Sequence, residues 1–324
     1  MPDPQVLCLG EVLFDYLADQ LGQALESVQS WTPYPGGAPA NVACSLAKLG
    51  TPAAFVGCVG TDVAGDELVQ LLQAEQVNIR GLQRHPHAPT RKVYVTRSVT
   101  GERSFAGFGG MKSHEFADAY LRAEQLPETL FQGADYLVLG TLEMAYDTSR
   151  EAIERAFELA RHYRVKVLVD VNWRPVFWSD EKLARRLIQH SLTQADYLKL
   201  SSEEAEWLWG ITDPTQIQAR FPHVQGVLVT AGDQGCWYWL QGHGGMVPAF
   251  TVPTIDTTGA GDAFVAGFLH QLCQNSALCH LADQAEAIMT YASAVGALTT
   301  LKAGAIAAQP TATEVAHFLA KAPR

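Results

Sequence analysis

The feature that most constrains this chain is a rhythm. Short, almost uninterrupted apolar runs alternate with amphipathic stretches along most of its length. The runs at residues 6–9, 54–59, 136–139, 165–169, 197–200 and 227–230 read as strands, and 40–49, 66–75, 149–162 and 203–209 read as helices between them. A strand that is apolar on both faces needs cover on both faces. The alternation therefore predicts an α/β fold, a central, mostly parallel sheet with helices on either side. Two segments break the rhythm. Residues 12–32 and 92–108 look like extended, partly polar hairpin material, the second ("KVYVTRSVTGERSFAGF") turning at Thr100-Gly101. Strands inserted between the first αβ units join a parallel core with difficulty, so they are expected to project from the sheet edge as a small β lid; surface decoration is the plainer alternative. With no internal repeat, low-complexity tract or linker, residues 1–324 read as one domain carrying that lid.

Composition narrows the partners. A hydrophobic share of 48% against 18% charged gives a chain of 324 residues ample core. The net charge of -11 argues against nucleic acid or an anionic membrane surface, both of which call for basic patches. It leaves phosphate ligands open, because a backbone anion hole needs few lysines. The opening "MPDPQVLCLG" lacks a basic stretch followed by a long apolar one, and no charge-free run reaches the length of a membrane span. The six cysteines show no CxxC pairing and lie mostly in apolar runs, where cysteine behaves as a small hydrophobe. Cys279-His280 has no second ligand pair at zinc spacing. A reduced, cytoplasmic protein is expected.

The chemistry concentrates in glycine turns. "IDTTGAGDAF", Ile255 to Phe264, reads as the end of a strand-like run, a glycine turn and the start of a buried small-residue helix. Free N–H groups and the positive end of the helix dipole converge at such a turn. Asp262 either caps that helix, or sits at the rim of a phosphate-binding hole to take a proton from an attacking hydroxyl. A second turn, "YPGGAPANVACSLAKLG", places Gly36-Gly37 before a helix with Asn41 near its start. That is a plain helix entry or a backbone cradle for a polyhydroxy ligand. Other phosphate motifs are missing: there is no GxxxxGK[ST], and the first strand ends in Gly10-Glu11-Val12-Leu13 rather than GxGxxG. The "GFGG" at 107–110 reads as loop.

Taken together these segments resemble the ribokinase-like (PfkB) family of sugar kinases. "GGAPANVACSLAKLG" matches the family's N-terminal signature and "DTTGAGDAF" its C-terminal one. "GEVLFD", "GCVGTDVAGD", "VDVNWRP", "SSEEAEWLWG", "VLVTAGDQG" and "SAVGALTTLKAGA" extend the match in order over nearly the whole chain. The resemblance implies an ATP- and magnesium-dependent kinase in which Gly259, Ala260 and Gly261 cradle the phosphates and Asp262 is the general base. It implies sugar contacts at Asp15, Gly36, Gly37, Asn41 and Glu143, with Asn172 and Arg174 on the substrate and phosphate side. Ser201, Thr230, Gly232, Gly235 and Ser293 are the implied nucleotide contacts. Glu204 fits the glutamate of an Asn-x-x-Glu motif that organises magnesium through water, although Ser201 stands where the asparagine belongs. Asp256, Thr258, Thr299 and Gly304 occupy the place of a monovalent-cation site, which suggests potassium. A homodimer through the lid is also implied. Phosphoryl transfer needs chiefly alignment and charge stabilisation, which suits such a site. A helix N-terminus is expected to keep Asp262 ionised and a weak base. Within the family "DVNWRP", "GERSF" and "ASAVGALTTLKAGAI" are most similar to fructokinases, which make fructose 6-phosphate. Kinases of ribose, 2-keto-3-deoxygluconate or nucleosides, and a non-catalytic sugar- or nucleotide-binding regulator, are the alternatives. A phosphosugar substrate would call for a basic cluster among Arg91, Lys92, Arg97 and Arg103, which strand alternation is expected to split.

Overall fold

The computed structural model describes residues 3–99, 103–274 and 282–321. The turn expected at Thr100-Gly101 and the Cys279-His280 pair lie outside them. The expected strands are all present: β1 (Val6–Leu9), β4 (Ala53–Gly60), β8 (Tyr136–Leu139), β9 (Lys166–Asp170), β10 (Tyr197–Ser201) and β11 (Gly226–Thr230). β5 (Asn78–His85), β12 (Cys236–Leu240) and β13 (His243–Val247) complete a nine-stranded sheet in the order β13-β12-β11-β10-β9-β8-β1-β4-β5. It is parallel from β11 to β5, while β12 and β13 run antiparallel at one edge. Gln241 and Gly242 have φ of 49° and 91°, which is the hairpin geometry that joins β12 to β13.

The helices α1 (Ala38–Leu49), α2 (Val63–Ala74), α3 (Glu128–Gly133), α4 (Asp147–Tyr163), α5 (Glu181–Leu192), α6 (Ser202–Trp209), α7 (Pro214–Arg220), α8 (Ala260–Gln274), α9 (Ala282–Thr299) and α10 (Ala312–Lys321) cover the sheet. Two large apolar clusters result. One joins Val6, Cys8 and Phe55 to Phe264, Phe268 and Val295, and the other joins Leu7, Leu9 and Val56 to Ile153, Phe157 and Ile188. Alternate residues of one strand thus feed opposite layers, as a doubly covered sheet demands. No described helix is long and apolar enough to cross a membrane.

The two segments that broke the rhythm form a separate four-stranded sheet. β2 (Leu13–Ala18), β3 (Trp31–Gly36), β6 (Lys92–Arg97) and β7 (Arg103–Gly107) pair in the order β3-β2-β6-β7. β3 carries the lid directly into the Gly36-Gly37 turn. One expectation fails here. The strand-like run expected to end at Asp256-Thr257-Thr258, before the Gly259 turn, belongs to no strand: residues 248–258 are irregular. Pro248 and Pro253 have no N–H to give a ladder, and the stretch is held instead by the N–H groups of Ile255 and Asp256 donating to the Thr300 carbonyl.

Candidate active site

Several of the expected site residues, with Gly10 and Glu11 beside them, follow the carboxyl ends of parallel strands, where open α/β sheets collect their ligands. Gly10 and Glu11 follow β1, Glu143 follows β8, Asn172 and Arg174 follow β9, Ser201 ends β10 and Thr230 ends β11. The two helices that follow glycine turns complete the arrangement. α1 begins after Gly37, whose φ of 104° suits only glycine, and a Cβ there would lie 2.5 Å from the Glu11 carbonyl oxygen. α8 begins after Gly259, whose φ is 77°.

These helix starts meet across the cleft. Asn41 Nδ2 donates to Asp262 Oδ2 at 2.8 Å, joining residues 221 positions apart. In the first turn of α8 Ala260 N–H donates to Thr257 and Ala263 N–H to Gly259, while Gly261 is exposed. A helix start of this kind offers N–H donors to an anion. Asp262 is half-buried, and burial pushes its pKa above the ordinary carboxylate value, against the hydrogen bond from Asn41 and the charges of Lys199 and Arg174. Desolvation outweighs the stabilising groups, so the carboxylate is a stronger base than an ordinary aspartate.

Behind Gly261 lies a cavity of about 560 Å³, lined by Thr230, Gly232, Gly235, Ser293, Ala260 and Gly261 among others. Four residues expected to contact a nucleotide are thus gathered against two of the three expected to cradle phosphate. Phe250, Val252 and Phe264 give the cavity an apolar wall. Its size is that of a small-molecule site, roughly 300–1,000 Å³.

On the other side of Asp262 the lid brings Asp15 to the glycine turn, its Oδ2 lying 3.0 Å from where a Gly36 Cβ would stand. Asn172 holds a φ of 35°, and Arg174 is exposed but close enough to lower the pKa of Asp262. Glu143, an expected sugar contact, is 1% exposed, its Oε2 lies 3.1 Å from a Cβ built on Gly10, and neither carboxyl oxygen has a hydrogen-bond partner among the described residues.

The residues expected to organise magnesium form a helix cap. Ser201 and Glu204 form a capping box at the start of α6: Ser201 Oγ accepts from Glu204 N–H at 3.2 Å, and Glu204 Oε2 accepts from Ser201 N–H at 2.7 Å. Glu204 Oε1 accepts from Trp173 N–H at 2.7 Å. Serine replaces asparagine here with a local helix-capping role. Asp256 ties its loop together, Oδ1 accepting from the Thr258 N–H and hydroxyl, and Oδ2 from Gly304 N–H at 3.1 Å. Thr299 is buried with its hydroxyl donating to the Val295 carbonyl, so three of the four expected cation-site residues share direct bonds.

Three of the four lid cations have described side chains, and these lie apart; the Arg103 side chain is outside the described residues. Arg91 is buried against Asp118, with Nη2 donating to Oδ1 at 2.8 Å, and Arg97 donates to the Ala18 carbonyl. The Lys92 ammonium lies 5.7 Å from the Tyr16 ring centre. Sequence reasoning missed three charged residues. Lys199 and Asp170 form an ion pair, 3.1 and 3.2 Å, beside Gly261. Burial opposes the Lys199 charge, but Asp170, Glu204 and Asp262 outweigh it and hold its pKa above the ordinary value. Glu11 is buried next to Glu143, its pKa pushed up to about 7 by burial and by neighbouring acids. The available signal was a charged residue inside or ending an otherwise apolar strand.

A model of the pfkB family of carbohydrate kinases matches residues 3–312. The chain belongs to this family. Fructokinase-1 of Zea mays is 35% identical over 322 residues, 98% of each protein. Among solved structures, the fructokinase from Xylella fastidiosa with bound ATP superposes with a TM-score of 0.88 at 31% identity, covering 98% of both chains. A double-mutant fructokinase from Vibrio cholerae O395, in a fructose, ADP and potassium ion bound form, gives 0.83 at 28% identity, again over 98% of both. As a pfkB carbohydrate kinase the protein shares the fold of solved sugar kinases over nearly its whole length.

Proposed function

We propose that this pfkB kinase transfers the γ-phosphoryl group of ATP to a primary hydroxyl of D-fructose, giving fructose 6-phosphate. The observation that carries the reading is the Asn41–Asp262 hydrogen bond, which joins the helix start after the Gly36-Gly37 turn to the first turn of α8, where Ala260 and Gly261 line the large cavity. Asp15, the Gly36-Gly37 backbone and Asn41 orient the sugar, with Asn172 and Arg174 at the phosphate side. Asp262, its pKa raised by burial, accepts the hydroxyl proton as the bond to phosphorus forms. The N–H groups around Gly259, Ala260 and Gly261 hold charge developing on the phosphoryl oxygens. Thr230, Gly232, Gly235 and Ser293 line the nucleotide cavity, with Ser201 at its base through the β10–β11 pairing.

Glu204 is the carboxylate that would hold magnesium. Both Glu204 oxygens already accept backbone N–H groups, which suits an ion held through water. When bound, magnesium would neutralise charge on the phosphates. Asp256, with Thr258, Thr299 and Gly304, would hold a potassium ion beside the α8 start; the potassium-bound Vibrio relative supports this. The dispersal of Arg91, Lys92 and Arg97 favours a neutral sugar over a phosphosugar.

A coupled ADP-release assay over fructose, ribose, ketodeoxygluconate and adenosine tests the substrate. Buried hydrogen-bonding sites reject analogues that leave their groups unpaired. Fructose should exceed the others in kcat/KM by at least about tenfold, ~1.4 kcal/mol. Asp15→Ala should lose most fructose activity at near-normal ATP affinity. A better alternative substrate would remove fructose from the reading; sugar and ATP binding without turnover would replace the enzyme with a sensor.

A further inference from the structure

Lys199 has no role in the reading above, yet its placement is hard to explain as structure alone. It sits in β10 between the apolar Tyr197, Leu198 and Leu200, and it is only 7% exposed. A buried ion pair of this kind is commonly no better for stability than apolar residues of the same volume, because two charges must leave water. Its position is specific. Nζ is bound to both oxygens of Asp170 and lies 3.4 Å from a Cβ built on Gly261, in the first turn of α8. An ammonium has three N–H donors, of which Asp170 occupies at most two. Asp262 and Glu204 are among the charges it senses.

We propose that Lys199 is a catalytic residue, its ammonium contacting the phosphoryl group in transfer beside Gly261. The inference rests on the reading of the α8 start as the phosphate site. In the step, the sugar oxygen bonds to the γ-phosphorus as the bond to the bridging oxygen breaks. The hydroxyl proton passes to Asp262, and ADP leaves with the bridging oxygen. Lys199 gives up no proton; it supplies fixed positive charge opposite the backbone N–H groups, in a site dry enough for that charge to act strongly. Asp170 positions it by holding Nζ from the side of β9.

Removing Lys199 alone would leave Asp170 buried and unpaired, so a plain loss of activity would not separate catalysis from folding. The informative variant is Lys199→Met combined with Asp170→Asn, compared with Asp170→Asn alone. The double variant should melt at or above the temperature of Asp170→Asn, bind fructose with KM within about threefold, and turn over at least tenfold more slowly, with ~10²–10³ expected for loss of one preorganised charge contact. A stable double variant whose turnover is within tenfold of Asp170→Asn overturns the proposal and returns Lys199 to a structural ion pair. If the double variant does not fold, the wild-type enzyme decides. With ¹⁵N-labelled lysine, the Lys199 Nζ resonance should move when aluminium fluoride is added to the ADP–fructose complex, and an unmoved resonance overturns the proposal. Asp262→Asn assayed in parallel keeps the underlying reading separate: full turnover there would refute the α8 site itself, whatever Lys199 does.

Discussion

Gly259 and Gly261 stand two residues apart in one motif, and the structure assigns them opposite reasons for being glycine. Gly259 has a φ of 77°, and a Cβ there would lie 2.8 Å from Ala305 Cβ and 3.0 Å from Ala305 Cα. Gly259→Ala therefore combines a left-handed backbone penalty of about 1–2 kcal/mol with a contact that backbone must shift to relieve, and it should lower the melting temperature. Gly261 has no such φ, and beyond its chain neighbours and its own helix backbone the described residues bring only the Lys199 Nζ within 4 Å of its built Cβ, at 3.4 Å. Alanine there sits in the first turn of α8 and should be neutral or stabilising, by up to about 1 kcal/mol. Its methyl group, however, occupies the space between the ammonium and the helix-start N–H groups. Losing one such contact costs ~10²-fold in kcat, equivalent to ~2.7 kcal/mol. The assay is thermal melting beside steady-state kinetics with saturating fructose and ATP. Gly261→Ala that keeps more than a third of wild-type turnover, or Gly259→Ala that melts like wild type, refutes the reasoning.

Titration offers two further tests. Because the Asp262 pKa is raised and the base acts ionised, kcat/KM should fall with falling pH along a limb placed above an ordinary aspartate's. Asn41→Ala removes a hydrogen bond that lowers that pKa, and a pH–rate profile should show the limb moving further up; a downward move contradicts the assignment. Glu11 has a folded pKa of about 7 against an ordinary value of 4.5, so its protonated form favours the fold below 4.5 and that stability is lost as pH rises to about 7. Glu11→Gln should accordingly raise the melting temperature more at pH 8 than at pH 4.5, and equal shifts at both would contradict the sign.

The architecture was legible because the parallel strands are apolar on both faces, and their bounds were found within about two residues, as at Val6–Leu9 and Tyr136–Leu139. The lid was legible from its failure to fit that rhythm. What escaped was set by tertiary context. At the sheet edge β13, "His-Gly-Gly-Met-Val", gives little strand signal, whereas β12, "Cys-Trp-Tyr-Trp-Leu", is apolar throughout and was legible but passed over. The stretch before Asp256 looked strand-like until its prolines are considered. In the site, the glycine turns and Asp262 stood out because their residue types are costly elsewhere. The Asn41–Asp262 bond was invisible, since it spans 221 residues. Lys199 was hidden inside "YLKLS", where the run of apolar neighbours suggested only a strand, and the capping box at Ser201 and Glu204 reads equally as a damaged metal motif.

The account stands or falls on Asp262 as the base, and Asp262→Asn measures it most directly. Asparagine keeps the shape and can still meet Asn41, but it cannot accept the hydroxyl proton. Isothermal titration should give ATP and fructose affinities close to wild type, while single-turnover formation of fructose 6-phosphate should slow by ~10²–10⁴, the range for a positioned general base. A variant that forms product at more than a tenth of the wild-type rate in that single turnover would contradict the account.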